Sequence, residues 1–307
     1  MAGAGAAVRV GIDIGGTNTD AVILDESGLV AHSVRIPSGR GPDAVLRIAT
    51  DAVLGLADLA RMSPASFASI GVGVPGAVDT ERGVVTHARN LDVASLALGP
   101  MLGANVGAPV RVENDVNAAA LGAFHQLGLD ADQSMAYLNL GTGLAAGLVL
   151  HGELWRGSRG AAGEIGHILI DPAGPLDEDG QPGALEVMAS GSGIASQWPG
   201  SVTEMIAAAD RGDTGAVEIR ERMFGAVASA VRILVLTVDV DLVVIGGGIS
   251  TMGDPLLDAV HRTFEQWEGG SPFLTSLRLG ERVRILSPES GVAATGAAWL
   301  GAVQWQR

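Results

Sequence analysis

Apolar and polar positions follow two rhythms along the chain, a period of two over short runs and one near 3.6 over longer ones. Val8 to Ile12 has the short rhythm and continues through Asp13-Ile14 into Gly15-Gly16-Thr17-Asn18-Thr19, so a strand ending in a glycine turn is expected. Asp20 to Leu24 and Leu29 to Ile36 read as two further strands, separated by the turn residues Asp25-Glu26-Ser27-Gly28. From about Pro42 to Arg61 the longer rhythm takes over, with Val45, Ile48, Ala49, Ala52 and Val53 on one helical face. Ala68 to Val74 is an apolar run ending at Pro75-Gly76, and Pro109 to Val112 is a short strand that gives way to a helix from Val116.

The same order begins again at Met135. Ala136 to Leu140 is a strand, Gly141-Thr142-Gly143 a turn, and Leu144 to Leu150 a second strand. Later, Met223 to Val238 reads as a long apolar helix, Leu242 to Ile245 as a buried strand ending in Gly246-Gly247-Gly248, and a helix follows from Pro255. Strand, glycine turn, strand is not a dinucleotide-binding unit, which would open a helix after its glycines. The pattern predicts an α/β chain of two related lobes with a nucleotide cleft between them. Residues 1–118 form the smaller N-terminal lobe and 119–290 the larger one. The C-terminal helix, about 291–307, packs back on the first lobe through its Gly-Ala-Ala face.

Composition narrows the classes. The chain has 307 residues, 47% of them apolar, which is material for the cores of two domains. A net charge of −15 with no Lys/Arg-rich run argues against nucleic-acid and anionic-membrane partners. No basic n-region precedes Val8, and the long apolar stretches 135–150 and 227–249 are broken by polar or charged residues, so a soluble cytoplasmic protein is expected. There is no cysteine, which excludes disulfides and thiolate metal sites.

Five segments carry candidate chemistry. In Glu113-Asn114-Asp115, a carboxylate stands where strand becomes helix. Asp115 there can take a proton from a bound hydroxyl, and the Asn114 amide can both donate to and accept from a polyol. The plain alternative is that Asp115 caps the helix. In Asp13-Ile14-Gly15-Gly16-Thr17, the glycines let successive amides converge on phosphate oxygens, and Asp13 can hold Mg²⁺ directly or through water; an ordinary Gly-Gly hairpin is the alternative. Gly141-Thr142-Gly143 is a similar but weaker turn. Gly246-Gly247-Gly248 suits close approach to an adenine or ribose, or simply a tight strand-to-helix turn. In Gly163-Glu164-Ile165-Gly166-His167, a carboxylate and an imidazole three residues apart sit among glycines that permit close approach of a ligand.

Asp13-x-Gly-Gly-Thr17, Gly73-x-Pro-Gly76, Glu113-Asn114-Asp115, Gly141-Thr142-Gly143, Gly163-Glu164-x-Gly-His167 and Gly246-Gly247-Gly248 run in that order over almost the whole chain. Together they resemble the ROK family (repressor, open reading frame, kinase) of sugar kinases, in the actin-like ATPase superfamily. The resemblance implies a two-lobed, ribonuclease H-like fold and ATP with Mg²⁺ as cofactors. It implies nucleotide contacts at Asp13, Gly15, Gly16, Thr17, Asn18, Gly141, Thr142, Gly143, Gly246, Gly247 and Gly248. Asp115 would be the general base, with Gly76, Asn90, Asn114, Glu164, His167 and Glu186 around the sugar. The implied reaction is phosphorylation of a hexose, first the 6-hydroxyl of glucose or a close relative. An amino-sugar or N-acylhexosamine kinase is the runner-up, and a fructose or allose kinase follows. Polyphosphate is an alternative donor, although no basic groove is evident. A homodimer is implied, with Trp155, Trp198 and Trp267 as candidate interface or lid aromatics or plain core.

The chain departs from the family at one place. The zinc loop Cys-x-Cys-Gly-x-x-Gly-Cys-x-Glu falls on 177–186, where Gly180, Gly183 and Glu186 match but Asp177, Asp179 and Ala184 stand at the cysteine positions. Structural zinc needs soft, closed ligation, so none is expected. Rigidity from Pro172, Pro175 and Pro182 is the expected substitute. The family's repressors carry an N-terminal helix-turn-helix; with the first strand at Val8 and an acidic chain, a regulator is disfavoured, as is a non-catalytic sugar-binding protein with its base intact.

Overall fold

The computed structural model describes residues 8–287 and 290–301. The N-terminal segment 1–7 and the tail 302–307 of the expected last helix lie outside the described residues. The chain divides into two units, Met1–Leu129 with Gly291–Arg307, and Asp130–Ser290.

The first unit opens with three strands, β1 (Arg9–Ile14), β2 (Asn18–Leu24) and β3 (Val30–Pro37), followed by helix α1 (Pro42–Ala60). Pro42 starts α1 because a first-turn residue needs no amide, and Val45, Ala49, Ala52, Val53, Leu56 and Ala57 form its buried face, with Ile48 only partly buried. Next come β4 (Ser69–Val74), a three-stranded antiparallel sheet of β5 (Ala77–Asp79), β6 (Val84–Ala88) and β7 (Val93–Leu96), helix α2 (Leu98–Val106), β8 (Val110–Asn114) and helix α3 (Asp115–Gln126). The main sheet has the order β3-β2-β1-β4-β8; β1 to β3 are antiparallel neighbours, while β4 and β8 run parallel to β1. β4 is buried throughout, as a strand covered on both faces must be. Its register sets Asp13, Gly73 and Glu113 abreast on the three parallel strands β1, β4 and β8.

The second unit repeats the plan. β9 (Met135–Leu140), β10 (Leu144–Leu150) and β11 (Glu153–Trp155) are followed by helices α4 (Leu185–Ala189), α5 (Gly191–Gln197), α6 (Val202–Asp210) and α7 (Thr214–Val238). Then come β12 (Leu242–Gly246), α8 (Asp254–Glu268), α9 (Pro272–Leu277) and β13 (Val283–Ile285). The sheet order β11-β10-β9-β12-β13, with β12 and β13 parallel to β9, matches the first sheet strand for strand. The architectural repeat read from the glycine turns is therefore a repeat of topology. Helix α7 begins at Thr214 rather than Met223, because Asp213 caps it by accepting from the Ala216 amide and Ala216 and Ile219 extend its buried face.

The last helix, α10 (Val292–Trp299), belongs to the first unit. It lies against α3 at glycine distance: a Cβ on Gly122 would fall 1.9 Å from the Val292 carbonyl oxygen, and one on Gly296 would fall 1.8 Å from that of Ala118. Trp299 closes this seam, with His125 stacked on one side at 4.2 Å and the Arg9 guanidinium 4.8 Å from its ring.

Candidate active site

In the first unit, the β1–β2 turn is tied by the Gly15 amide, which donates to the Asn18 carbonyl at 3.0 Å. The Thr17 carbonyl accepts from Ser38, and buried Thr19 bonds the Ser38 hydroxyl at 2.8 Å. These anchors hold the turn from behind, while Gly16 and Thr17 stay exposed and their amides donate to no group among the described residues. Such a pair of outward amides is what an anion requires. Asn90, in the short turn Arg89–Leu91, sits next to Gly16: a Cβ on that glycine would come within 3.6 Å of the Asn90 Cβ.

Asp13, next to last in β1, lies directly opposite Asp20. Burial, the nearby Asp115 charge and the Asp20 charge, in that order, push its carboxyl up to about 7. Asp20 is itself held by Arg35, through Nε at 2.8 Å and Nη2 at 2.9 Å. The Asp115 charge therefore opposes ionisation of Asp13.

The β8–α3 corner settles which residue caps the helix. Asn114, not Asp115, is the N-cap: its Oδ1 accepts from the Val116 and Asn117 amides at 2.9 and 3.2 Å. Its Nδ2 donates to the Gly76 carbonyl at 3.3 Å. The capping alternative for Asp115 is thereby corrected, because extended backbone at Asn114 puts that side chain one residue closer to the orphan amides. Asp115 is the first helical residue and accepts from the Val116 amide at 3.0 Å. Gly76, at φ 99° and with a would-be Cβ 2.8 Å from the Thr86 carbonyl oxygen, can only be glycine.

In the second unit, the Gly141–Gly143 turn is more heavily anchored than its counterpart. The Gly141 carbonyl accepts from the Gly191 amide at 2.9 Å, and the Thr142 carbonyl accepts from both the amide and the hydroxyl of Ser192. Glu186 Oε2 accepts from the Leu144 amide at 2.8 Å. The run Ser190-Gly191-Ser192-Gly193 was not singled out from the sequence; its small residues between two helices were the available signal.

Glu164 and His167 are exposed around the short turn Ile165–His167, whose Ile165 and Gly166 are buried. A Cβ on Gly166 would lie 3.2 Å from the Glu186 Cβ, so this segment and Glu186 share one corner beside the 141–143 turn. At the end of β12, Gly246 and Gly247 are required by packing on β9: would-be Cβ atoms fall 2.1 Å from the Tyr137 hydroxyl and 2.6 Å from the Leu140 carbonyl oxygen. Gly248, of the three, has open space around it. Trp155 is exposed on edge strand β11, whereas Trp198 and Trp267 are partly buried against the core.

The 171–186 loop carries hydrogen bonds of its own beside its prolines. Asp177 Oδ1 accepts from the Asp179 and Gln181 amides at 3.0 and 2.8 Å, and the Asp177 amide donates to the Gln181 carbonyl. Asp171 closes a similar turn by accepting from the Ala173 amide, and Gly183 donates to the Pro175 carbonyl. An aspartate organising its own loop does locally what a bound ion would do. Among the described residues, no group of three His, Cys, Asp or Glu is placed to hold a metal ion. Dialysis against a chelator is expected to leave the melting temperature unchanged. Asp177→Ala is expected to raise the sugar KM several-fold, and Asp177→Asn, which keeps the acceptor, to restore it. Steady-state kinetics on both variants checks this.

No helix among the described residues is long and apolar enough to cross a membrane. The sequence profile described as ROK family matches residues 9–302. A glucokinase of Halalkalibacterium halodurans is 30% identical over 314 residues, covering 95% of this chain and 94% of that protein. An N-acetylmannosamine kinase of Citrobacter koseri is 32% identical over 258 residues, covering 81% and 86%. Among solved structures, a ROK hexokinase from Thermus thermophilus superposes with a TM-score of 0.80 at 29% identity, over 95% of this chain and 96% of that one. A ROK family glucokinase from Streptomyces griseus in complex with glucose and AMPPNP gives 0.76 at 28%, over 95% and 98%.

Proposed function

The chain belongs to the ROK family, has its actin-like ATPase fold and is a sugar kinase; from that premise we propose that it transfers the γ-phosphate of ATP to the 6-hydroxyl of glucose. The observation that carries the mechanism is the division of labour at the β8–α3 corner. Asn114 satisfies the helix amides, so the Asp115 carboxylate is not needed as a cap and stands at the positive end of α3 as a base.

In the proposed step, the hydroxyl oxygen bonds to the γ-phosphorus as the bond from phosphorus to the β,γ-bridging oxygen breaks, releasing ADP. The hydroxyl proton passes to Asp115. Asn90, Asn114, Glu164, His167 and Glu186 hold the sugar, and the amides of Gly16, Thr17, Thr142 and Gly143 hold phosphate oxygens. The donor set fits Mg²⁺: Asp13 is a carboxylate that burial first, then the Asp115 and Asp20 charges, keep reluctant to ionise, and a cation bound there would relieve that cost. Bound Mg²⁺ would neutralise phosphate charge.

A second reading is an N-acylhexosamine or amino-sugar kinase, favoured by the N-acetylmannosamine kinase relative and by the altered 177–186 loop. A coupled ADP-release assay with Mg-ATP separates the two. The panel is glucose, mannose, fructose, allose, glucosamine, kanosamine, N-acetylglucosamine and N-acetylmannosamine. Glucose is expected to give the highest kcat/KM. An amino sugar in first place would install the second reading. Folded, ATP-binding protein that turns over none of them would overturn both.

A further inference from the structure

One ionisable side chain is buried beside the reacting corner without any part in the step above. Glu113 is 2% exposed, and it follows apolar Val112 near the end of β8. Burying a carboxylate is unfavourable unless hydrogen bonds replace its water, so the bonds it makes reveal its role. Glu113 Oε1 accepts from the Asn114 backbone amide at 3.0 Å and from Asn117 Nδ2 at 3.0 Å. Those donors bracket Asp115, one just before it and one in the first turn of α3. Asn114 clasps the same turn from outside through the Val116 and Asn117 amides. Across the sheet, Gly73 pairs with Glu113 and leaves only 3.5 Å between its would-be Cβ and the Asp115 Cα.

We propose that Glu113 is a positioning residue: with Asn117 it locks the strand-to-helix corner so that the Asp115 carboxylate is held where the substrate hydroxyl needs it. This rests on the reading of Asp115 as the base. A base must lie within hydrogen-bond reach of the proton it takes, and misplacement by about 1 Å costs about 10²-fold in rate.

The test is a set of variants of the full-length protein, each shown to be folded, assayed with its best sugar and Mg-ATP. Glu113→Leu and Asn117→Ala attack the same bond from its two sides. Each is expected to lower kcat about 10–10²-fold with the KM for sugar and for ATP unchanged. Glu113→Gln keeps an acceptor at Oε1 and is expected to stay within about threefold of wild type by the same positioning logic. In an Asp115→Asn background, Asn117→Ala is expected to cost nothing more, because its effect passes through Asp115. A second full loss in that background, or Glu113→Gln as impaired as Glu113→Leu, would overturn the proposal. If Asp115→Asn alone retains near-wild-type turnover, the base reading fails and takes this one with it. If Asp115→Asn is inactive while Glu113→Leu and Asn117→Ala are not, only the positioning role fails.

Discussion

Asp115→Asn is expected to lower kcat by about 10²–10⁴, the usual contribution of a general base, with the KM for sugar and ATP little changed. Asparagine has nearly the same shape but cannot take up the proton. The structure makes this substitution unusually informative, because stability should not confuse it. The helix cap is Asn114, which stays, and the exchange removes the repulsion between Asp115 and Asp13. The favourable interaction of a charge with the α3 N-terminus is lost, about 0.3–1 kcal/mol at exposed sites and up to about 2 kcal/mol at partly buried ones such as this. Initial rates across sugar and nucleotide concentrations, with a thermal melt on the same preparation, are the measurement. A folded variant turning over at near wild-type rate would remove Asp115 from the base's role.

Much of the architecture was legible because period-two and period-3.6 patterns are set by burial. β1, β2, β4, β9, β10 and β12 each fall within a residue or two of the runs that predict them. Helix α7 was legible only in its apolar half, since the first turns bury little beyond Ala216 and Ile219 and carry charge elsewhere. The segment between Trp155 and Leu185 has no periodicity to read. Its order comes from single residues, Gly163 at φ 93° against β10 and Asp177 gathering two amides, which no pattern of hydrophobicity encodes. At the β8–α3 corner, sequence showed three polar side chains in a row but not how they share the work. Which of Asn114 and Asp115 caps α3 depends on where the backbone leaves extended conformation, and β8 continues two residues past Val112. Glu113 stood in that motif without a role of its own for the same reason: its importance lies in burial, and a glutamate in a sequence carries no mark of that.

Asp13→Asn should separate stability from activity in opposite directions. The carboxyl of Asp13 is raised from its ordinary 3.8 to about 7, by burial first and by Asp115 and Asp20 after it. An unfolded chain ionises this group near pH 4, whereas the folded, metal-free protein keeps the proton until about pH 7. Folding thus loses stability as pH rises through that window, and the full cost is present above it. Asparagine cannot ionise, so the metal-free variant is expected to melt above wild type at pH 8, with the gap closing toward pH 4. In the same variant, Mg-ATP should no longer raise the melting temperature appreciably, and kinase activity should fall at least about 10²-fold, since phosphate charge loses its counter-ion's anchor. Differential scanning calorimetry at several pH values, with and without Mg-ATP, reads both effects. Equal melting temperatures at pH 8 would mean that Asp13 is ionised at no cost. The corner would then be less crowded than the placement of Asp13, Asp20 and Asp115 implies. Asp115→Asn supplies the cross-check: by removing the second largest cause of the shift, it should shrink the pH-dependent loss in part, leaving the portion due to burial.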